Sequence, residues 1–207
     1  KPDPVPREVL EELLKTCRWA PSARNTQPCE LYILGGKALE EFKARLAEIV
    51  KSEAEINPEI SVPDLPEHYL QRWTQVRDLI DTSQFPPGTE NLEEKRAEYW
   101  LKGSTLFYGA PNGIILCTER VLCPRAIFDA GIMAQTIALA ALGYGLATCF
   151  LGRPVFYPDM LREALGIPES KFTTAGIAIG YPDTEAPINN FPRPRASLDS
   201  FTHWQGF

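Results

Sequence analysis

The apolar pattern predicts an α+β fold in which a small sheet is wrapped by helices. Runs at 29–34 (CELYIL), 112–118 (containing GIILC), 146–151 and 172–180 (FTTAGIAIG) have strand character. The stretches between them carry helical spacing, in the order α-β-α-α-α-β-α-β-α-β and then a tail. That order lacks the strict strand–helix alternation of a doubly wound sheet. Neither a P-loop nor a G-x-G-x-x-G sequence occurs.

The elements follow in turn. Residues 6–19 place Val9, Leu10, Leu13, Leu14 and Cys17 on one helical face, with Pro6 suited to a first turn and Pro21 to a stop. After strand 29–34 and Gly35-Gly36, residues 37–51 form a second amphipathic helix with Leu39, Phe42, Leu46, Ile49 and Val50 inward. Residues 52–90 are broken by Pro58, Pro63, Pro66, Pro86 and Pro87 and leave room for a short helix at 67–81. A long proline-broken segment of this kind suits a lid or binding loop. Residues 91–108 are predicted helical. Residues 125–142 are apolar nearly all round, which predicts a central helix buried on every side. Residues 157–166 form a short helix ended by Gly166. From Tyr181 the chain is proline-rich and extended. The whole of 1–207 is expected to be a single domain with an insertion at about 52–90 and a tail at 181–207.

Composition narrows the function. Of 207 residues, 44% are hydrophobic and 23% charged, values of an ordinary globular chain and not of a disordered one. A net charge of −6 argues against nucleic acid as main partner. The apolar run from Ile137 to Ala147 falls short of the roughly 20 residues of a membrane helix, and the opening KPDPVPREVL has no apolar signal core. The five cysteines include no C-x-x-C pair, which favours a reducing, cytoplasmic compartment over a disulfide framework. Two distant histidines, His68 and His203, make a metal site improbable. Cys149, in a predicted core strand, reads as a small hydrophobe.

Three segments carry chemistry. Residues 20–28 (APSARNTQP) place short polar side chains between a helix end and a strand start, suited to a planar, acceptor-rich ligand or simply to a turn. Residues 129–153 set Gln135 in an apolar helix and bracket a strand with Gly145 and Gly152, where a ligand can approach backbone or where core helix merely meets core strand. Arg193 and Arg195 flank a proline and suit a phosphate, since guanidinium binds phosphate oxygens bidentately; a solvated surface pair has the same sequence.

Taken together in this order, APSARNTQP, Ala110-Pro111 before a strand, D-x-G-x-x-x-Q (Asp129 to Gln135), LAALGYGLAT, GIAIGYP and the late R-x-R resemble the FMN-dependent nitroreductase family over nearly the whole chain. The insertion with Tyr69, Leu70 and Arg72 and the ending FTHWQGF are most similar to members that reduce nitroaromatic compounds such as nitrobenzoates. The resemblance implies a mixed or antiparallel central sheet in a domain-entwined homodimer, with FMN at the interface and NADH or NADPH as electron donor. It implies that Pro21, Ser22, Ala23 and Asn25 face FMN bound mainly to the other subunit. Gln135 would lie near the flavin ring, Phe150, Leu151 and Gly152 would line its far face, and Arg193 and Arg195 would hold the phosphate. Arg24, Tyr69, Arg72 and Trp73 are candidate substrate contacts.

Two departures from the family pattern stand out. The Arg-Arg-Ser-x-Arg segment that precedes the stretch matching Pro2 to Pro6 and binds phosphate and ribityl chain in the family is absent: either the native chain begins before Lys1, as the lack of Met suggests, or FMN binding is weakened. Cys29 stands where the family often has Trp.

The implied chemistry is ping-pong transfer from NAD(P)H through FMN to a nitroaromatic or quinone-like acceptor. It needs no side-chain nucleophile, because the cofactor carries the chemistry. Different flavin chemistry, such as a dehydrogenase or dehalogenase, and a non-catalytic flavin-binding module remain the alternatives.

Overall fold

The computed structural model describes residues 1–207, apart from the side chain of Lys102. The chain divides into two compact units, one of Lys1–Val62 and Ala97–Pro182, the other of Pro63–Arg96 and Asp183–Phe207.

The first unit is built on four strands: β1 (Cys29–Gly35), β2 (Asn112–Glu119), β3 (Ala147–Leu151) and β4 (Lys171–Gly180). They form one sheet in the order β1-β2-β4-β3, with every neighbouring pair antiparallel. The two central strands are buried on both faces, so their sequences read as near-continuous apolar runs. Side chains alternate between two cores. Ile114, Leu116, Ile177 and Ile179 face one side, where α1 (Arg7–Cys17) contributes Leu10, Leu13 and Cys17 and α5 (Arg125–Leu142) contributes Ala130, Ala134, Ile137 and Ala141. Ile115, Cys117 and Ala178 face the other, where α2 (Gly36–Lys51) supplies Leu39, Phe42 and Leu46 and α6 (Pro158–Leu165) supplies Leu161.

Gly113 is where β2 must lack a side chain. A Cβ there would come within 2.6 Å of the fully buried Phe107 ring. Register slips by one residue between Leu116 and Cys117, opposite β4, and the extra residue, Thr174, donates its hydroxyl to the Leu116 carbonyl at 2.8 Å.

The second unit holds α3 (Glu67–Gln84), the start of α4 (Leu92–Thr105) and helical turns at Pro187–Asn189 and Leu198–Ser200 in the tail. The helix α3 is longer than the stretch 67–81 that the prolines suggest, because nothing breaks it before Phe85. Its one buried residue is Asp81, paired with Arg96 at 2.9 Å.

Two expectations change. The helix α5 is not buried all round: Phe128, Gly131, Gln135, Leu139 and Leu142 form an exposed stripe at helical spacing. As a whole α5 is long and apolar enough by composition to cross a membrane, unlike the shorter run that overlaps its end, yet its other face belongs to the core. Nor is β3 a buried strand. It is a sheet edge in which only Leu151 is buried, and Cys149 is exposed instead of serving as a core hydrophobe.

Charged side chains gather at the β4 end that begins with Lys171. The Lys171 ammonium pairs with both Glu30 and Glu119. Glu59, from the irregular segment before α3, accepts from Arg120, from Arg162 at 3.0 Å, and from the Thr173 N–H and hydroxyl at 2.6 and 2.7 Å. Burial pushes the Glu59 carboxyl up, but the Thr173 and Arg120 hydrogen bonds and the Arg162 charge outweigh it, leaving the group below its ordinary 4.5. A depressed carboxyl stabilises the fold fully above its unfolded value and loses that contribution as pH falls through the folded one. Acid titration followed by amide exchange is therefore expected to loosen residues around Glu59 only below about pH 4.5, with Glu59→Gln abolishing that step.

Candidate functional site

Residues 21–27 form a tight, exposed loop between α1 and β1. Its backbone is unusual: Arg24, Asn25 and Gln27 have φ of 54°, 56° and 46°. Left-handed backbone at three non-glycine positions costs energy and persists only where the surroundings fix it. Local bonds do part of this. The Asn25 N–H donates to the Ser22 carbonyl at 3.0 Å, and the Gln27 N–H donates to the Ser22 hydroxyl at 2.9 Å.

The remaining constraint comes from a distant residue. The Ala23 N–H points at both carboxylate oxygens of Asp129, 3.2 and 3.3 Å away. Asp129 is a buried acid in an otherwise apolar helix face, only 4% exposed. A charged acceptor held against a backbone N–H is among the stronger hydrogen bonds. Asp129 thus joins the loop to α5 and leaves Pro21, Arg24 and Asn25 turned to solvent. Patterning alone gives Asp129 no role beyond its place in D-x-G-x-x-x-Q; a lone Asp among alanines of a core helix is the signal that finds it.

Cys29 follows the loop at the start of β1. Burial first, and then the Asp129 charge, push its thiol up to about 11. It is therefore protonated and unreactive at neutral pH.

Gln135 lies on the exposed stripe of α5, so its amide faces solvent and not the core. Phe150 is half exposed on β3, Leu151 is buried beneath it and Gly152 is exposed. Since β3 is an edge, one row of its backbone N–H and C=O groups is turned away from β4. The structure thus joins Ala23 to α5. Among the described residues it shows no hydrogen bond from the 21–27 loop to β3 within one chain.

The other candidates belong to the second unit. Tyr69, Arg72 and Trp73 sit on an exposed face of α3, with the Arg72 guanidinium 5.8 Å above the Tyr69 ring and the Arg77 guanidinium 4.9 Å above Trp73. These are two adjacent cation–π pairs one turn apart. In the tail, Arg193 donates to the Ile188 carbonyl at 2.8 Å and lies 4.4 Å above Phe191, so its head group already braces the tail. Arg195 is exposed and donates to the neighbouring Pro194 carbonyl at 2.9 Å.

The model of the nitroreductase family matches residues 1–181. Nitroreductase NfnB of Mycolicibacterium smegmatis is 32% identical over 207 residues, covering 99% of this chain and 86% of that protein. A 4-nitrobenzoate reductase of Pseudomonas putida is 28% identical, covering 100% of this chain and 89% of the relative. Among solved structures, the FMN and NADPH-dependent nitroreductase NfnB from sphigopyxis sp. strain HMH superposes with a TM-score of 0.89 at 27% identity, over 99% of this chain and 92% of that one.

Replacing Asp129 by Asn removes the charge that holds Ala23 and raises the Cys29 thiol. Alkylation of Cys29 by iodoacetamide at pH 9 is expected to quicken, by about two- to tenfold, since burial remains the larger cause. An unchanged rate would mean that Asp129 does not reach the start of β1.

Proposed function

The chain belongs to the nitroreductase family, and on that premise we propose that it is an FMN-dependent NAD(P)H oxidoreductase acting on nitroaromatic acceptors. The observation that carries this is the strained, solvent-facing loop at 21–27, fixed by Asp129.

The donor set fits FMN. An isoalloxazine ring needs hydrogen-bond donors at its edge and apolar contact on its face, and its phosphate needs cations. Among the described residues the Asn25 and Gln135 side-chain amides have no partner within the chain, Phe150 offers an exposed ring, and the edge of β3 presents backbone N–H groups. When bound, FMN supplies two-electron transfer from NADH or NADPH to the acceptor.

The chain's own residues bind and orient. We assign Pro21, Ser22, Ala23 and Asn25 to one side of the cofactor, with Gln135 at its edge. Phe150, Leu151 and Gly152 take the other side, where N–H groups favour negative charge on a reduced ring. Arg195 holds the phosphate. Arg193 assists, but its bonds to the Ile188 carbonyl and Phe191 give it a second, structural duty. Tyr69, Arg72 and Trp73 offer stacking surface and positive charge to an aromatic acceptor bearing a carboxylate, and Arg24 lies open to an anionic group.

A homodimer completes the site in this reading. Two features support it: the apolar stripe Phe128, Leu139 and Leu142, which a monomer leaves in water, and the absence of any loop-to-β3 bond within one chain among the described residues. A second copy covering that stripe brings its own 21–27 loop to the flavin. The five unpaired thiols suit the reducing cytoplasm.

The purified protein is expected to show a flavin absorption spectrum that NAD(P)H bleaches anaerobically and a nitroaromatic restores. A colourless protein that takes up no FMN would refute the assignment. Arg195→Ala should weaken FMN retention about tenfold or more while circular dichroism stays unchanged. In sedimentation the native protein should run as a dimer, and Leu139→Asp should shift it toward monomer.

A further inference from the structure

The chain leaves the sheet-bearing unit at Val62. Residues 52–66 before α3 have no regular structure, and they bury little: Ile60 and Val62 are exposed, and only Ala54 packs at a core margin. Beyond the bonds that Ser52 and Glu53 make to the end of α2, two polar contacts among the described residues hold this segment to the first unit. One is the Asn57 N–H to the Phe156 carbonyl at 3.0 Å. The other is the Glu59 carboxylate, whose side chain is only 11% exposed.

Glu59 enters a cradle that three elements build. Arg120 comes from the turn after β2, Arg162 from α6 and Thr173 from β4. The donors are themselves fixed. Arg120 also donates to the carbonyls of Glu169 and Lys171 at 3.0 and 3.1 Å. Arg162 also donates to the Lys171 carbonyl at 2.8 Å and pairs with Glu169 at 3.3 Å. Thr173 lies next to the extra residue of β4, where the register slip turns both its N–H and its hydroxyl to one carboxylate oxygen. A bulge re-aims the residues beside it, and here it completes an anion site that the chain fills with its own Glu59. The apolar cores contain none of these groups.

We propose that Glu59 is a positioning residue: it fixes the point from which the chain enters the segment carrying Tyr69, Arg72 and Trp73, and so governs how tightly the acceptor is held. This rests on the assignment of those three residues to the acceptor. A carboxylate suits the task because it satisfies two guanidinium groups, an N–H and a hydroxyl together; an amide of the same shape cannot. Glu59→Gln leaves an NH2 group facing arginine and removes the charge that balances Arg120 and Arg162. Glu59→Ala opens the cradle to a small carboxylate from solution.

The test uses the holoenzyme and two independent readouts. In the first, hydrogen exchange is followed in peptides covering 52–62 and in peptides from β2 and β4. Glu59→Ala should raise exchange in 52–62 by roughly tenfold, the scale expected for lost charged hydrogen bonds, with β2 and β4 unchanged except at Thr173, whose N–H loses its acceptor; added acetate should restore Thr173 but not 52–62, because it is not tied to that segment. In the second, KM for a nitrobenzoate should rise severalfold in Glu59→Gln and recover in Glu59→Asp, with the anaerobic rate of bleaching by NAD(P)H changing far less. Uniform exchange across the sheet, or no change in 52–62, would overturn the anchor. Faster exchange with an unaltered KM would overturn the positioning role and leave a purely structural one. If the native enzyme reduces no nitroaromatic, the functional assignment fails and the positioning role with it, while exchange still decides whether Glu59 is the anchor.

Discussion

The constraint on which the rest depends is the burial of β2 and β4 on both faces. A strand pair with apolar side chains above and below must be covered twice. The α1–α5 layer over Ile114, Leu116, Ile177 and Ile179 and the α2–α6 layer over Ile115, Cys117 and Ala178 provide that cover. Once both faces are occupied, a ligand has access only at edges and ends. The edge strand β3, the loop that leads into β1 and the outer stripe of α5 are what remain, and the candidate cofactor residues of this unit lie there.

Asp129 connects these two levels. Its helix is set by the core through Ala130, Ala134 and Ile137, and its carboxylate then sets the loop through Ala23. A loop with left-handed backbone at Arg24, Asn25 and Gln27 would relax if left to itself. Anchored to a helix that the sheet holds rigid, it keeps its shape before any ligand arrives, and little ordering remains to be done on binding.

Much of this was legible in the residues. Period-two and period-3.6 patterns located all four strands and the cores of α1 and α2, because apolar side chains there face one invariant direction. What the patterns misjudged was sidedness. An α5 rich in Ala, Ile and Leu all round reads as enclosed, yet Leu139 and Leu142 lie in water. Cys149 reads as core for the same reason, since an apolar edge strand has the composition of an interior one. The length of α3 was hidden by the prolines around it, and Glu59 was invisible because its donors lie 61, 103 and 114 positions away. Patterning cannot bring together residues that only the folded sheet makes neighbours.

The polar side chains divide by what already holds them. Ser22 is committed to Gln27, Asp129 to Ala23, Glu59 to its cradle and Arg193 to the tail's own carbonyls. Each gives at least one of its hydrogen bonds to shape. Among the described residues the Asn25 and Gln135 side-chain amides show no such partner, which leaves them open to a ligand. The committed groups explain why the uncommitted ones stay in place: a side chain can wait for a ligand only if another has fixed the backbone beneath it. Loss of Asp129 should therefore weaken cofactor binding although its buried carboxylate is turned to Ala23 and not to solvent. The residues closest in effect to the ligand need not be those in contact with it.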